Sequence, residues 1–339
     1  VSGIDGSAAH LSDALFTTAI FVYAMAMVGY TAEYAFGRVA RKKTSVAAVP
    51  ARELVHAGAP SVPSGFAPDD GAISASKPPQ RVQTSWPARI GRAAVGITVL
   101  GALVHAGSIV VRAAAVDAVP WSNMYEFASV AGLVGILAFL AVLWKLPTLR
   151  DLGGFVLLPV VLMMFLAGTV LYSKAQPLVP ALQSYWLAIH VTLVSIAEGA
   201  LMTSAVLTVL YLVKSRQDRA PFRSERLANL AAKLPAAEAL DKGAYRVVAF
   251  AFPLYTIAII CGAIWAEAAW GRYWGWDPKE TWAFIVWVVY ASYLHARATA
   301  GWKGRAAAWI NLAGFGSITF NFLIVNIVVS GLHSYAGLS

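Results

Sequence analysis

Eight long apolar runs decide what this chain can fold into. They fall at about 12–37, 90–115, 122–144, 152–172, 185–213, 244–266, 281–297 and 306–330. A helix needs roughly 20 such residues to cross a hydrocarbon core about 30 Å thick, and lipid requires every backbone polar group to be satisfied within the segment. The alternating ten-residue segments of a membrane β-barrel are absent. The expected fold is therefore all-α, a polytopic integral membrane helical bundle of about eight transmembrane helices. Hydrophobic residues fill 59% of the 339 positions and charged residues only 13%, with a mean hydropathy of +0.65. No ordinary soluble domain has that balance.

The basic residues orient the bundle. Nine lie from Arg38 through Arg92, two at Lys145 and Arg150, eight from Lys214 to Arg246 and three from Arg297 to Arg305. Together these are 22 of the 26 Lys and Arg, leaving Arg112, Lys174, Arg272 and Lys279 for the other side. By the positive-inside rule both termini are expected to be extracytoplasmic in a multi-pass cytoplasmic (inner) membrane protein. The net charge of +9 is then an orientation signal. A nucleic-acid partner is disfavoured, because the cations are divided among short connections.

Three parts are expected: a first transmembrane helix over 1–37, a cytoplasmic basic loop over 38–89, and a membrane domain over 90–339. Ala47 to Pro87 is rich in Pro, Ser, Ala and Gly, without a periodic apolar pattern, and reads as disordered. Residues 1 to 10 lack the basic start of a cleavable signal peptide. After Ser224, a plausible N-cap, Leu227, Leu230, Ala231 and Leu234 recur at helical spacing. They suggest a short amphipathic helix on the inner surface, with Arg223, Arg226 and Lys233 toward anionic lipid. The alternative is a cytosolic docking site. Cys261, the single cysteine, lies in an apolar run and reads as a packing residue.

The most distinctive string is WGRYWGWDPKETW, from Trp270 to Trp282. Its tryptophans, Trp270, Trp274, Trp276 and Trp282, are concentrated in one connection at a membrane surface, whereas an aromatic belt spreads such rings over many helix ends. Gly271 and Gly275 would allow close approach of a flat object, and Pro278 fixes the backbone. A large planar ligand is the natural inference. PWSNMYEF (Pro120 to Phe127), YWLAIHV around His190 and GLHSY around His333 stand before and after this string.

In these four motifs the chain resembles the tryptophan-rich WWD-domain haem-handling proteins, and specifically the CcsA/ResC-type cytochrome c biogenesis proteins of system II. The resemblance covers most of the chain beyond residue 90, with the WWD loop at 267–282 on the extracytoplasmic side. It implies that His190 and His333 are external ligands of haem iron. Two neutral imidazoles on opposite faces of a porphyrin give six-coordinate iron, with the tryptophans lining the ring. The bland alternative for each is an interfacial histidine bonded to water or headgroups. His295 matches the family's transmembrane histidine and reads as an iron ligand for haem entering from the inner leaflet, against snorkelling beside Arg297. His105 is either a further haem-binding residue or a packing hydrogen bonder. His10 and His56 receive no role.

Arg272 and Lys279 suit haem propionates, or else pair with Asp277, Glu280 or Glu267. Asp277 before Pro278 reads as a helix cap compatible with a place in the haem site. Glu126 and Glu198 either orient a histidine through a hydrogen bond or join buried polar pairs. The family further implies non-covalent haem b as substrate, attachment of its vinyl groups to the thiols of a CxxCH apocytochrome c, and a ResB/CcsB-type membrane partner. It also implies a thiol-reducing thioredoxin-like pathway. On that reading the chain is a holocytochrome c synthase (haem lyase) component, inactive without its partner. The alternatives are a haem exporter without ligation activity and a b-type electron-transfer membrane subunit.

Overall fold

The computed structural model describes residues 4–46, 86–145, 147–176, 182–299 and 301–333. The Pro-rich segment expected to be disordered lies outside the described residues from Ala47 as far as 85; Trp86 and Pro87 already belong to a helix. The described residues form helices and no strands: α1 (Gly6–Val46), α2 (Trp86–Val116), α3 (Met124–Lys145), a 3-10 turn Pro147–Leu152 leading into α4 (Gly153–Thr169), α5 (Tyr185–Arg219), α6 (Glu225–Ala232), α7 (Ala237–Trp270), α8 (Pro278–Ala298) and α9 (Arg305–Phe320). A π-helical turn over Asn321–Val325 prolongs α9 to Val328.

Two groups of helices make the bundle. In the first, α1 lies along α2, with α3 and α4 closing around Phe16, Tyr23, Ile136, Phe139 and Leu157. In the second, α5 lies along α7, with α8 and α9 around Leu201, Val248, Tyr255, Val286 and Tyr290. In lipid, helices associate through close packing and interhelical hydrogen bonds, because the tails are as apolar as the side chains. The sequence supplies both. Tyr23 of α1 lies over Gly101, Tyr30 over Gly153, and the Tyr30 and Thr98 hydroxyls meet at 3.1 Å. Gly199 of α5 meets the Gly135 backbone of α3 and joins the two groups.

Charged contacts mark the two ends. At one, Arg112 bonds Asp13 and Glu126, and Asp277 bonds His333. At the other are Arg150 with Glu33, Lys233 with the Ala35 carbonyl, and Arg297 with Asp241. Among the described residues the basic connections thus gather at one end, as the charge count predicts, and both described ends of the chain lie at the other.

Several boundaries differ from expectation. α1 continues through Val46 and α2 begins at Trp86, so the connection expected at 38–89 is shorter at both ends. Ser12 donates to the Ser108 carbonyl, so α1 packs against α2 at this end of the bundle. Among the described residues seven helices are long and apolar enough to cross a membrane, against about eight expected. The difference is α8, whose Trp282, Tyr290, Tyr293, His295 and Arg297 dilute an otherwise apolar stretch. α6 forms as predicted, with Leu227 and Leu230 exposed, but Ser224 makes no side-chain cap bond. Lys233 does not face outward. Its ammonium donates to the Ala35 carbonyl at 2.8 Å, because it lies against the α1 backbone.

Candidate functional site: a tryptophan-walled cavity between two histidines

The Trp-rich connection is shorter than the 267–282 loop expected from sequence. α7 runs through Trp270, and Gly271 ends it in the left-handed region at φ 70°, a conformation that costs glycine little. α8 starts at Pro278 behind a capping box, in which the Asp277 side chain accepts from the Lys279 backbone N–H and Glu280 reaches back. Only Gly271 to Asp277 lies outside helix. Glu280 Oε2 accepts from the backbone N–H groups of Gly275 and Asp277 at 2.8 and 3.1 Å, fixing the turn around Trp276, whose φ is 57°.

Beneath this turn is a cavity of about 160 Å³. Its walls include Trp121, Leu187, Trp265, Trp270, Trp274 and Phe322, with His190 and His333 among them. His190 Nδ1 donates to the Ala258 carbonyl at 2.7 Å, and His333 Nδ1 donates to Asp277 Oδ2 at 2.8 Å. Both assignments follow from the acceptors, which have no proton to give. Each neutral ring then carries its lone pair on Nε2, the atom an iron would need. Trp265 lies nearly parallel to His190 at 6.4 Å and 15°, while Trp265 and Trp270 meet His333 edge-on at 5.8 and 5.0 Å.

Asp277 is the hinge of this arrangement. Besides capping α8, its carboxylate accepts from the Leu332 backbone N–H at 2.8 Å, which ties the segment after α9 to the Trp-rich turn. The hydrogen bond from His333 draws the Asp277 carboxyl down to about 2. Burial pulls His333 below the usual imidazole range, with Asp277 opposing, so the ring is neutral at pH 7.

Of the residues singled out by sequence, His190, His333, Trp270, Trp274 and Lys279 line the cavity, and Asp277 supports it. Others go elsewhere. Arg272 folds over Gly275, filling the space a Cβ would take, and neither Gly271 nor Gly275 is among the residues that line the cavity. Trp276 is 65% exposed, edge-on to Trp274, and Trp282 packs on Phe320 at 4.2 Å. His105 is fully buried at the first helix group, its ring nitrogens 3.0 Å from Ser129 Oγ and 3.4 Å from Tyr23 Oη. His295 is exposed on α8 near the opposite end of the bundle. Glu126 joins a buried ion pair with Arg112 at 2.9 Å and orients no histidine; Glu198 lines the cavity. Cys261 is buried and free, as a packing residue would be.

Sequence reasoning missed Trp121, Trp265, Gly262, Asn321 and Asn326. Trp265 and Asn321 are hidden in apolar runs with no local signal. Trp121 was visible within PWSNMYEF, but nothing in one dimension placed it on the same cavity as His333. Lys279 Nζ donates to Asn326 Oδ1 at 2.8 Å, and the π-helical turn of α9 carries Asn321 and Phe322 at the cavity wall. Such turns recur at functional sites, since the extra residue per turn redirects side chains.

Fold and site together define a class: a polytopic helical membrane protein with an aromatic cavity between two neutral imidazoles at one end of the bundle. A family model described as "Cytochrome C assembly protein" matches residues 121–333, which contain the whole cavity. The chain is 40% identical over 235 residues to the cytochrome c biogenesis protein CcsA of Guillardia theta, covering 65% of this chain and 77% of that protein. It is 38% identical over 248 residues to the CcsA of Trieres chinensis, covering 65% and 78%. For the CcsA of Synechococcus sp. (strain JA-2-3B'a(2-13)) the identity is 41% over 212 residues, covering 48% and 61%. The chain belongs to the cytochrome c assembly protein family and is a CcsA-type cytochrome c biogenesis protein.

Proposed function

We propose that this chain binds haem b in the cavity and holds it for attachment to a CxxCH apocytochrome c, working with a ResB/CcsB-type membrane partner. The observation that carries the reading is the pair of imidazoles, each held by a hydrogen bond at Nδ1, in one tryptophan-walled cavity. The residues present fit the substrate. Indole walls suit a porphyrin face. Lys279 provides a cation for a propionate, and Trp121 Nε1 is a buried donor with no partner among the described residues. Arg272 is left out of the propionate site, since its guanidinium is folded against Gly275.

Haem contributes its vinyl groups, and the apocytochrome contributes the thiols that add across them. The chain's own contribution is positional. His190 and His333 fix the plane, the tryptophans exclude water from its faces, and Asp277 keeps His333 in the ligating tautomer. His295 lies far from the cavity and is proposed as a separate haem contact on the exposed face of α8. A thiol-reducing thioredoxin-like pathway would keep the CxxCH cysteines in the form that can react.

The test is spectroscopic and functional. The chain purified with its partner is expected to carry haem with a low-spin six-coordinate spectrum. His190→Ala and His333→Ala should each abolish that spectrum and sharply reduce covalent haem in a co-expressed CxxCH reporter, while membrane insertion is unchanged. Unaltered spectra and undiminished cytochrome c in both variants would sink the proposal.

A further inference from the structure

Glu198 lies two turns beyond His190 on α5 and lines the same cavity, within electrostatic reach of Lys279. Among the described residues its carboxylate takes no hydrogen bond, and Lys279 on the same cavity wall is the cation whose charge reaches it. Lys279 Nζ gives one hydrogen bond to Asn326 and keeps two N–H groups for other acceptors. Asp277 has its own donors in His333 and the Leu332 N–H and does not need the ammonium. Glu280 also lines the cavity, but its Oε2 is held by the Gly275 and Asp277 backbone N–H groups. Tyr255 faces Glu198 from α7 with its hydroxyl donated to the Ala283 carbonyl at 3.3 Å, and Tyr290 faces Glu198 from α8. On α5 itself stands neutral His190, and α3 meets the adjacent Gly199 with Ala131, Val134 and Gly135.

A ligand whose edge carries carboxylates competes with Glu198 for this one ammonium. Two carboxylates on one cation would leave an unbalanced negative charge in an apolar wall, which is costly enough that a proton is taken up instead. We infer that Glu198 yields Lys279 to the ligand's carboxylate and accepts a proton from solvent as it does so, which links ligand binding to proton uptake. This rests on the haem reading above and adds a charge exchange that neither the histidines nor the tryptophans require.

The experiment titrates the full-length chain in lipid nanodiscs with hemin and, separately, with hemin dimethyl ester, measuring affinity by absorbance between about pH 6 and pH 9. Uptake of one proton predicts that hemin binds about tenfold tighter for each unit the pH falls within the titrating range. The ester, having no carboxylates, should show no such slope, and Glu198→Gln should flatten the slope for hemin. Protonation of the histidine ligands cannot imitate this result, because it weakens binding as pH falls; loss of the Lys279 proton would weaken hemin alone as pH rises, but that slope survives Glu198→Gln. A flat hemin profile, an equal slope for the ester, or a slope retained in Glu198→Gln would overturn the inference. If Glu198→Gln fails to fold, Lys279→Arg decides: its cation keeps its charge throughout, so a hemin slope that persists there supports the inference and one that vanishes overturns it. Failure of both porphyrins to bind at every pH would overturn the haem reading itself and this inference with it.

Discussion

Gly262 lacks a side chain where the His190 imidazole passes: a Cβ there would stand 2.7 Å from ring atoms Cε1 and Nδ1. Gly262→Ala must therefore move a ring that the Ala258 carbonyl also holds, and the ring is the softer of the two groups. The expected result is a normally inserted protein whose bound haem has lost the six-coordinate low-spin spectrum. An unchanged spectrum would show that His190 is not a ligand in this orientation. Asp277→Asn tests the other side. It retains a capping oxygen for α8 but withdraws the charge that orients His333, and loss of such a supporting bond weakens metal retention by about ten- to a hundredfold. Haem dissociation rates measured by transfer to apomyoglobin would check this. The carboxyl drawn down to about 2 stays ionised far below neutrality, so its contribution to folding is present above the usual Asp range and is lost only as pH falls through about 2.

At the level of elements, the short connection from α2 to α3 owes its shape to buried charge. Arg112 Nε donates to Glu126 Oε1 at 2.9 Å, its Nη2 to the Ser173 carbonyl at 2.6 Å, and its Nη1 to Asp13 at 3.3 Å, so four separate segments meet on one guanidinium. The other oxygen of Glu126 accepts from the Ser122 N–H and hydroxyl, which sets the turn that brings Trp121 and Asn123 to the cavity. Both partners are almost wholly buried, with side chains 3% and 2% exposed. Removing one leaves the other uncompensated, at a cost of about 3–5 kcal/mol. Arg112→Met should lower resistance to thermal unfolding in detergent by that order and weaken haem retention as well. Arg112→Met combined with Glu126→Gln should recover part of the stability, whereas additive losses would mean that the two charges do not act as a pair.

For the whole molecule, the two ends of the bundle carry different chemistry, and their placement across the membrane can be measured. Glu267 is exposed beside the Trp-rich turn, and Arg223 is exposed at the opposite end, ahead of α6. In a Cys261→Ala background, a cysteine at Glu267 should react with an impermeant maleimide in intact cells, and one at Arg223 only after permeabilisation. The reverse result would put the cavity on the cytoplasmic side, where extracytoplasmic apocytochrome could not reach it.

The sequence by itself determined the all-helical membrane class, the number of long helices to within one, the gathering of the basic connections at one end and the pair His190 and His333. The first three follow from local composition, since apolar length and charge excess can be read along the chain, whereas the two histidines were picked out by the motifs that carry the family resemblance. The residues that complete the site could not be read in that way. Trp265, Gly262 and Asn321 resemble ordinary membrane-helix residues until α5, α7 and α9 pack and turn them toward one space. The same packing sent Arg272 onto Gly275, gave Glu126 to Arg112 and buried His105 against Tyr23 and Ser129. Asp277 shows the division most clearly: its sequence position gives the helix cap, but only the return of α9 brings His333 within 2.8 Å of its carboxylate. Hydrogen bonds between residues 56 positions apart depend on how helices cross, and helix crossing is a property of the assembled bundle.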